Sequence, residues 1–217
     1  MKVAFFDFCK TIVKVNSLSE FVKYVLNKEP NKYKFFKKIL FNNRKYLKPL
    51  ILPRKVEIFL LRGNTKNDLV SLSRNFFYEI LLPNFNYEVI NYLKDLKSNG
   101  YTIVIVSAAL EIYLKFITEI LPVDIIISTR LKFRKNLCTG FIDGIDTFGL
   151  GKLKALKERL DFFNSINWEE SYFFSDDFVS DKHLLEKVGY PFIVIYDDLM
   201  VKPVLNDKKI EIIRIKL

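Results

Sequence analysis

The 217-residue chain is short of the residues that build disulfide frameworks and zinc centres, with two cysteines (Cys9 and Cys138), no CxxC pair and one histidine, His183. Both kinds of scaffold are thereby excluded, so any resident metal must be a hard cation held by carboxylate and carbonyl oxygens. Long apolar runs are missing too. The longest stretch without a charged residue, Ser98 to Leu110, falls short of the roughly 18 to 20 residues of a membrane span. Asp7 also interrupts the apolar N-terminus where a signal peptide would continue. These absences lead us to expect a cytoplasmic, unprocessed protein without a transmembrane segment.

Apolar side chains make up 50% of the chain and charged ones 28%, which suits a buried core and excludes disordered, collagen-like or low-complexity classes. At roughly 150 residues per domain, the length fits one domain with a large insertion or two small ones. The net charge of +10 is concentrated in one place. From Lys10 to Lys66, 15 lysines and arginines face three acids (Glu20, Glu29, Glu57), a local excess of 12 that leaves the rest of the chain at −2. A solvated helix face is the simple account of a charge run. This excess suits an anionic partner better: a phosphate-rich substrate, a membrane surface or nucleic acid. Nucleic acid is disfavoured, because no RNP, zinc-finger or helix-turn-helix signature accompanies the charge.

Continuous apolar runs at Val3 to Phe6, Tyr101 to Val106, Val123 to Ile127, Ser171 to Phe174 and Phe192 to Ile195 predict parallel strands covered on both faces. Helix-period segments lie between them: Tyr87 to Asn99, Glu111 to Leu121, Lys152 to Phe163 and Asp181 to Val188. The repeat predicts an α/β doubly wound parallel sheet, Rossmann-like, with Ile210 to Leu217 as a weak edge strand. Residues 15–82 break the rhythm with helix patterns only (Leu18 to Leu26, Lys55 to Leu61, Lys66 to Leu81). We read them as an inserted, basic, all-helical cap over a core of residues 1–14 and 83–217, lying over the strand ends where open α/β sheets bind ligands.

Four places carry chemistry. Asp7 follows the first strand, with the Thr11 hydroxyl four residues on; a turn-forming aspartate explains it equally well when taken alone. Ser107 is placed likewise after the second strand, with the small Ala108 and Ala109 leaving backbone amides open to an oxyanion, although an N-cap serine would look the same. Gly151-Lys152 opens a helix. It is not a P-loop, because Asp146 stands where the first glycine belongs and Leu153 where the hydroxyl belongs; a surface lysine is the alternative. Asp176, Asp177 and Asp181 cluster after another strand, where unpaired carboxylates repel one another unless a cation binds.

In this order the four resemble the motifs of the haloacid dehalogenase superfamily, in the branch with a phosphoserine-phosphatase-like helical cap. FFDFCKTI is similar to the first motif, DxDGT[LI], IVSAA to the second, GK at 151 and 152 to the third, and DFVSDKHLLEKVG to the fourth. NSLSEFVKYV, FLLRGNTKNDL, LKSNGYTIVIVSA and the TGFIDG turn extend the resemblance over nearly the whole chain.

The resemblance implies a Mg2+-dependent phosphohydrolase with Asp7 as nucleophile, forming an aspartyl-phosphate. It implies Mg2+ held by Asp7, the Cys9 backbone carbonyl and Asp177, with Asp181 nearby; the four-residue spacing favours Asp177 over Asp176. Lys152, Ser107 and the Ala108 amide would hold the phosphate, and Thr11 would support the nucleophile loop. Two residues depart from the pattern. Cys9 stands where the family has its general-acid aspartate, a loss that commonly costs about 10² to 10⁴ in rate, and Lys10 replaces a glycine. A slow phosphatase, a phosphotransferase, or a catalytically degenerate protein that binds a phosphorylated ligand, an anionic membrane or nucleic acid through the cap are the outcomes these changes leave open. Asn16 stands where phosphoserine-specific members carry the acid that reads the substrate ammonium, so no strong phosphoserine preference is expected. The basic cap, with Tyr33, Phe35, Phe36, Phe41, Tyr46, Leu50, Ile51 and Leu52 interleaved, suggests a phosphorylated small molecule with further negative charge or a lipid part, and peripheral membrane contact.

Overall fold

A computed structural model describes residues 1–28, 53–196 and 210–215 of the chain. The strands are β1 (Val3–Phe6), β2 (Thr102–Leu110), β3 (Ile125–Arg134), β4 (Leu137–Asp143), β5 (Tyr172–Ser175), β6 (Tyr190–Tyr196) and β7 (Glu211–Ile215). They form one sheet in the order β4-β3-β2-β1-β5-β6-β7. Every neighbouring pair is parallel except β3 and β4. β1 lies at the centre, where the chain goes first to one side and later to the other, and ligands of such sheets bind beyond the strand ends at that point.

The apolar runs are continuous because both faces of the sheet are covered. Ala4 and Phe6 of β1 face one buried cluster with Ile103, Ile105 and Phe174, while Val3 and Phe5 face a second with Val104, Val106 and Phe173. The first face is covered by α1 (Ser17–Lys28), α3 (Lys66–Phe76), α4 (Tyr87–Ser98) and α5 (Glu111–Leu114); the second by α6 (Leu150–Lys157) and α8 (Lys182–Leu185), with α7 (Leu160–Ser165) beside them. Between α1 and α3 lies α2 (Arg54–Leu60). Burying the apolar stripe of α1 (Leu18, Phe21, Val22, Val25 and Leu26) is what fixes it, since each such side chain contributes roughly 1.5–3 kcal/mol on burial. Phe21, Phe76 and Tyr113 join α1, α3 and α5 through ring contacts of 5.0 to 5.5 Å.

Several elements differ from the sequence pattern. β2 runs on through Ser107 to Leu110, so Ser107 lies inside the strand rather than beyond it. There β2 leaves register with β3: Ser107 pairs with Ser128, but Leu110 pairs with the next residue, Thr129. β3 continues past Ile127 and returns as β4 through a two-residue turn at Lys135 and Asn136, both at positive φ (48° and 64°). The pattern gave no notice of this hairpin because Lys-Asn is not the usual Asn-Gly or Asp-Gly pair, and the expected TGFIDG turn is itself strand β4. Lys152 to Phe163 is two helices, Glu111 to Leu121 is one α-turn followed by a 3-10 segment, and Asp181 to Val188 holds a single turn with Asp181 at its N-cap.

The described residues of the segment 15–82 are mostly helical, and besides packing α1 and α3 on the core they bond to the hairpin. Gly63 N–H donates to Cys138 O (2.9 Å), Cys138 N–H to Asn64 O (2.8 Å) and Lys66 N–H to Asn136 O (2.8 Å). Gly140 makes room for α2: a Cβ there would lie 3.0 Å from Arg62 Cβ and 3.1 Å from Phe59 Cα. The aromatic and apolar residues from Tyr33 to Leu52 on which the lipid and membrane reading rests lie outside the described residues. No helix among the described residues is long and apolar enough to cross a membrane.

Candidate active site

The site grows from the end of β1. Asp7 N–H donates to Phe174 O (2.8 Å), fixing the residue beside β5, and Asp7 Oδ1 accepts the Phe8 N–H (2.7 Å). The chain then turns tightly, with Lys10 in the left-handed region at φ 50°. An L-residue there costs roughly 1–2 kcal/mol, so lysine adopts, under strain, the turn that glycine would make freely.

Lys152 is 3% exposed, and its Nζ sits 3.3 Å from Asp7 Oδ2 and 2.6 Å from Asp181 Oδ2. Burial works against its charge, but Asp7 and then Asp181 outweigh this and hold the ammonium above the ordinary lysine value. Gly151 lets α6 come this close, because a Cβ at that position would overlap the Asp146 carbonyl oxygen. Asp181 Oδ2 also accepts the Ser175 hydroxyl (2.5 Å). Burial pushes the Asp181 carboxyl up to about 6, against the opposing pull of Lys152.

Asp7, Lys152 and Asp181 line a cavity of about 400 Å³ together with Cys9, Lys10, Asn16, Ser107, Ala108, Asp176 and Asp177. Thr11 is not brought to it. Thr11 is fully buried, its Oγ1 meets no partner among the described residues, and its carbonyl accepts from Asn86 Nδ2 (3.1 Å), so it supports the loop from behind. Ser107 Oγ accepts the Ala109 N–H (3.2 Å). Asn16 caps α1, its Oδ1 accepting the Ser19 N–H (3.3 Å).

The two adjacent acids differ in their surroundings. Asp177 Oδ1 accepts the Ser180 N–H (2.9 Å), holding the loop after β5. The Asp176 carboxylate accepts no hydrogen bond from a described residue, and burial, then the charge of Asp7, push it up to about 7. Cys9 Sγ lies 2.9 Å from Ser17 Oγ, which lies 2.9 Å from Tyr113 Oη. Burial and then Asp7 push the Cys9 thiol up to about 11.

The fold also brings in residues that the motifs did not mark. Arg54 and Glu57 of α2 also line the cavity, as does Phe148. Arg54 binds Asp146, the residue noticed in the sequence only as a missing P-loop glycine (Nε to Oδ1, 3.0 Å). Glu57 Oε1 accepts the Ser19 hydroxyl (2.5 Å), and burial raises its carboxyl. Their three-residue spacing on one helix was the available signal, but it carries no information until the helix has a neighbour.

The model of the family described as haloacid dehalogenase-like hydrolase matches residues 4–186 of this chain. The chain belongs to that family. Among solved structures, this hydrolase is similar to a protein of unknown function from Bordetella pertussis Tohama I (20% identity, 89% of each chain covered, TM-score 0.71). It is also similar to a HAD family hydrolase from Salmonella enterica subsp. enterica serovar Typhi (19% identity, 98% of this chain and 67% of that one, TM-score 0.65). A phosphoserine phosphatase in its apo form matches at 21% identity over 97% of this chain and 92% of the other, with TM-score 0.62. No curated protein sequence matches the chain. The hydrolase thus carries the Rossmann-like fold of phosphoserine phosphatases.

Proposed function

We propose that the protein is a Mg2+-dependent phosphomonoesterase acting on a phosphorylated small molecule through an aspartyl-phosphate on Asp7. The observation that carries this reading is the buried Lys152 ammonium between Asp7 and Asp181 in the cavity wall. An anionic nucleophile repels a dianionic phosphate, and a fixed cation beside it removes most of that penalty where water is excluded. Asp7 forms a bond to phosphorus as the ester P–O bond breaks and the leaving oxygen takes a proton from solvent; water then splits the acyl phosphate, giving up a proton to solvent, releasing inorganic phosphate and restoring the carboxylate. The bulged segment of Ser107 and Ala108 supplies hydroxyl and amide donors for the phosphoryl oxygens.

The donor set suits Mg2+, which keeps several waters and needs only one or two carboxylates. Among the described residues no group of three or more acidic, cysteine or histidine side chains is arranged to hold a metal ion by itself, and Asp7, Cys9 and Asp176 are the candidate donors in the cavity wall. Asp7, the Cys9 carbonyl and Asp176 would hold the ion. Asp176 has the stronger claim over Asp177 because its carboxylate is crowded by Asp7 and otherwise unbonded, whereas Asp177 is engaged with Ser180. Asp181 would act through Lys152. When bound, the ion neutralises charge on the phosphoryl oxygens.

Cys9 slows the cycle. A thiol keeps its proton at neutral pH and is a poor base, so the attacking water lacks the carboxylate that would take its proton. With Asn16 at the ammonium-reading position, phosphoserine is not strongly preferred. The test is phosphate release from a panel of phosphomonoesters with and without Mg2+. Wild type should turn over with Mg2+, Asp7→Asn should be silent, and Cys9→Asp should be faster. Inactivity of wild type on every ester, unrescued by Cys9→Asp, would overturn the assignment in favour of binding without turnover.

A further inference from the structure

We propose that Arg54 is the positioning residue of the phosphate-binding segment Ser107–Ala109, so that this segment is complete only when α2 is docked on the core. The inference rests on the phosphomonoesterase reading. One guanidinium gathers four parts of the chain. Arg54 Nε donates to Asp146 Oδ1 and Oδ2 (3.0 and 3.3 Å), and Nη2 donates to Ala108 O (2.5 Å) and Thr129 Oγ1 (3.0 Å). The Thr129 hydroxyl donates to Asp146 Oδ1 (3.2 Å) and accepts the Thr147 N–H (3.1 Å), closing the network.

The segment needs such a support because β2 and β3 lose register there, from the Ser107–Ser128 pair to the Leu110–Thr129 pair. Ala108 and Ala109 therefore have no place in the β2–β3 ladder. A peptide unit is planar, so fixing the Ala108 carbonyl also fixes the direction of the Ala109 N–H. That N–H donates to Ser107 Oγ (3.2 Å), the hydroxyl aimed at the phosphoryl oxygens in the reading above. Arg54 does not act as a further anion attractor: Asp146 Oδ1 stands 2.9 Å from its Nη2 and balances its charge. Its contribution is orientation, and it comes from the helical insertion rather than from the sheet. A lysine cannot replace it, because one ammonium cannot span carboxylate, carbonyl and hydroxyl in the planar geometry of the fork.

The experiment measures kcat and KM for p-nitrophenyl phosphate with Mg2+, and the inhibition constant of inorganic phosphate, in wild type, Arg54→Met and Arg54→Lys, alongside melting temperatures. In Arg54→Met, kcat/KM should fall by about 10²-fold, as a misplacement of about 1 Å produces, and phosphate should inhibit more weakly. Arg54→Lys should recover little of either and should keep the fold if Arg54→Met does not. An unchanged phosphate constant in both variants, with only the melting temperature lowered, would reduce Arg54 to a docking contact and overturn the inference. A wild type that neither turns over nor responds to phosphate would instead bring down the phosphomonoesterase reading itself.

Discussion

The two walls of the cavity are built differently. The wall at the strand ends carries Asp7, Lys152 and Asp181, whose charges are buried and paired with one another before any substrate arrives. The wall from α1 and α2 carries Asn16, Ser19, Arg54 and Glu57, whose polar groups are spent on capping a helix, on joining two helices or on holding a segment of the core. A parallel sheet converges its strand ends at one point, so side chains there share a fixed geometry. Helices laid over those ends bring side chains that also serve the packing of the helices themselves. In the function proposed above, reaction chemistry falls to the first wall and orientation to the second.

Breaking the first wall should have the larger effects. Lys152→Met leaves Asp7 and Asp181 buried without their counter-charge; turnover of p-nitrophenyl phosphate should drop by about 10²- to 10³-fold, and chemical denaturation should show a loss of about 3 kcal/mol. Asp176→Asn should abolish the Mg2+ dependence of turnover, whereas Asp177→Asn keeps an oxygen for the Ser180 amide and should change it far less; the reverse order would return the ligand role to Asp177. Lys10→Gly relieves the positive-φ strain and should stabilise the fold by about 1 kcal/mol, read as a rise in melting temperature. The smallest effect belongs to the helix wall. Burial raises the folded-state value of Glu57, so the folded protein holds the proton more tightly than the unfolded chain, and stability falls as pH rises above the unfolded value of about 4.3. Glu57→Gln should remove that part of the slope in melting temperature against pH.

Asp7, Lys152 and the acidic cluster were legible as candidates because each follows or opens an element that the apolar pattern marks, whereas Ser107 proved to lie inside β2. Gly151 and Lys10 were legible as letters, but their meaning needed the fold: one allows α6 to approach Asp146, and the other bends a turn under strain. Spacing favours Asp177 as the metal ligand, and our proposal of Asp176 instead rests on an observation that spacing does not contain, the use of the Asp177 carboxylate by the backbone of the loop after β5. The β3–β4 hairpin was invisible because two L-residues occupy a turn that glycine usually signals.

The doubly wound sheet and the chain order of the candidate site residues could be read from the letters alone, since hydrophobic periodicity and short motifs are local. The pairing of Asp146 with Arg54, the bond from Arg54 to the Ala108 carbonyl and the sharing of Lys152 between Asp7 and Asp181 arise from folding alone. Those contacts join residues 29 to 145 positions apart. Distance along the chain carries no record of which side chains a twisted sheet and the helices packed on it will bring together.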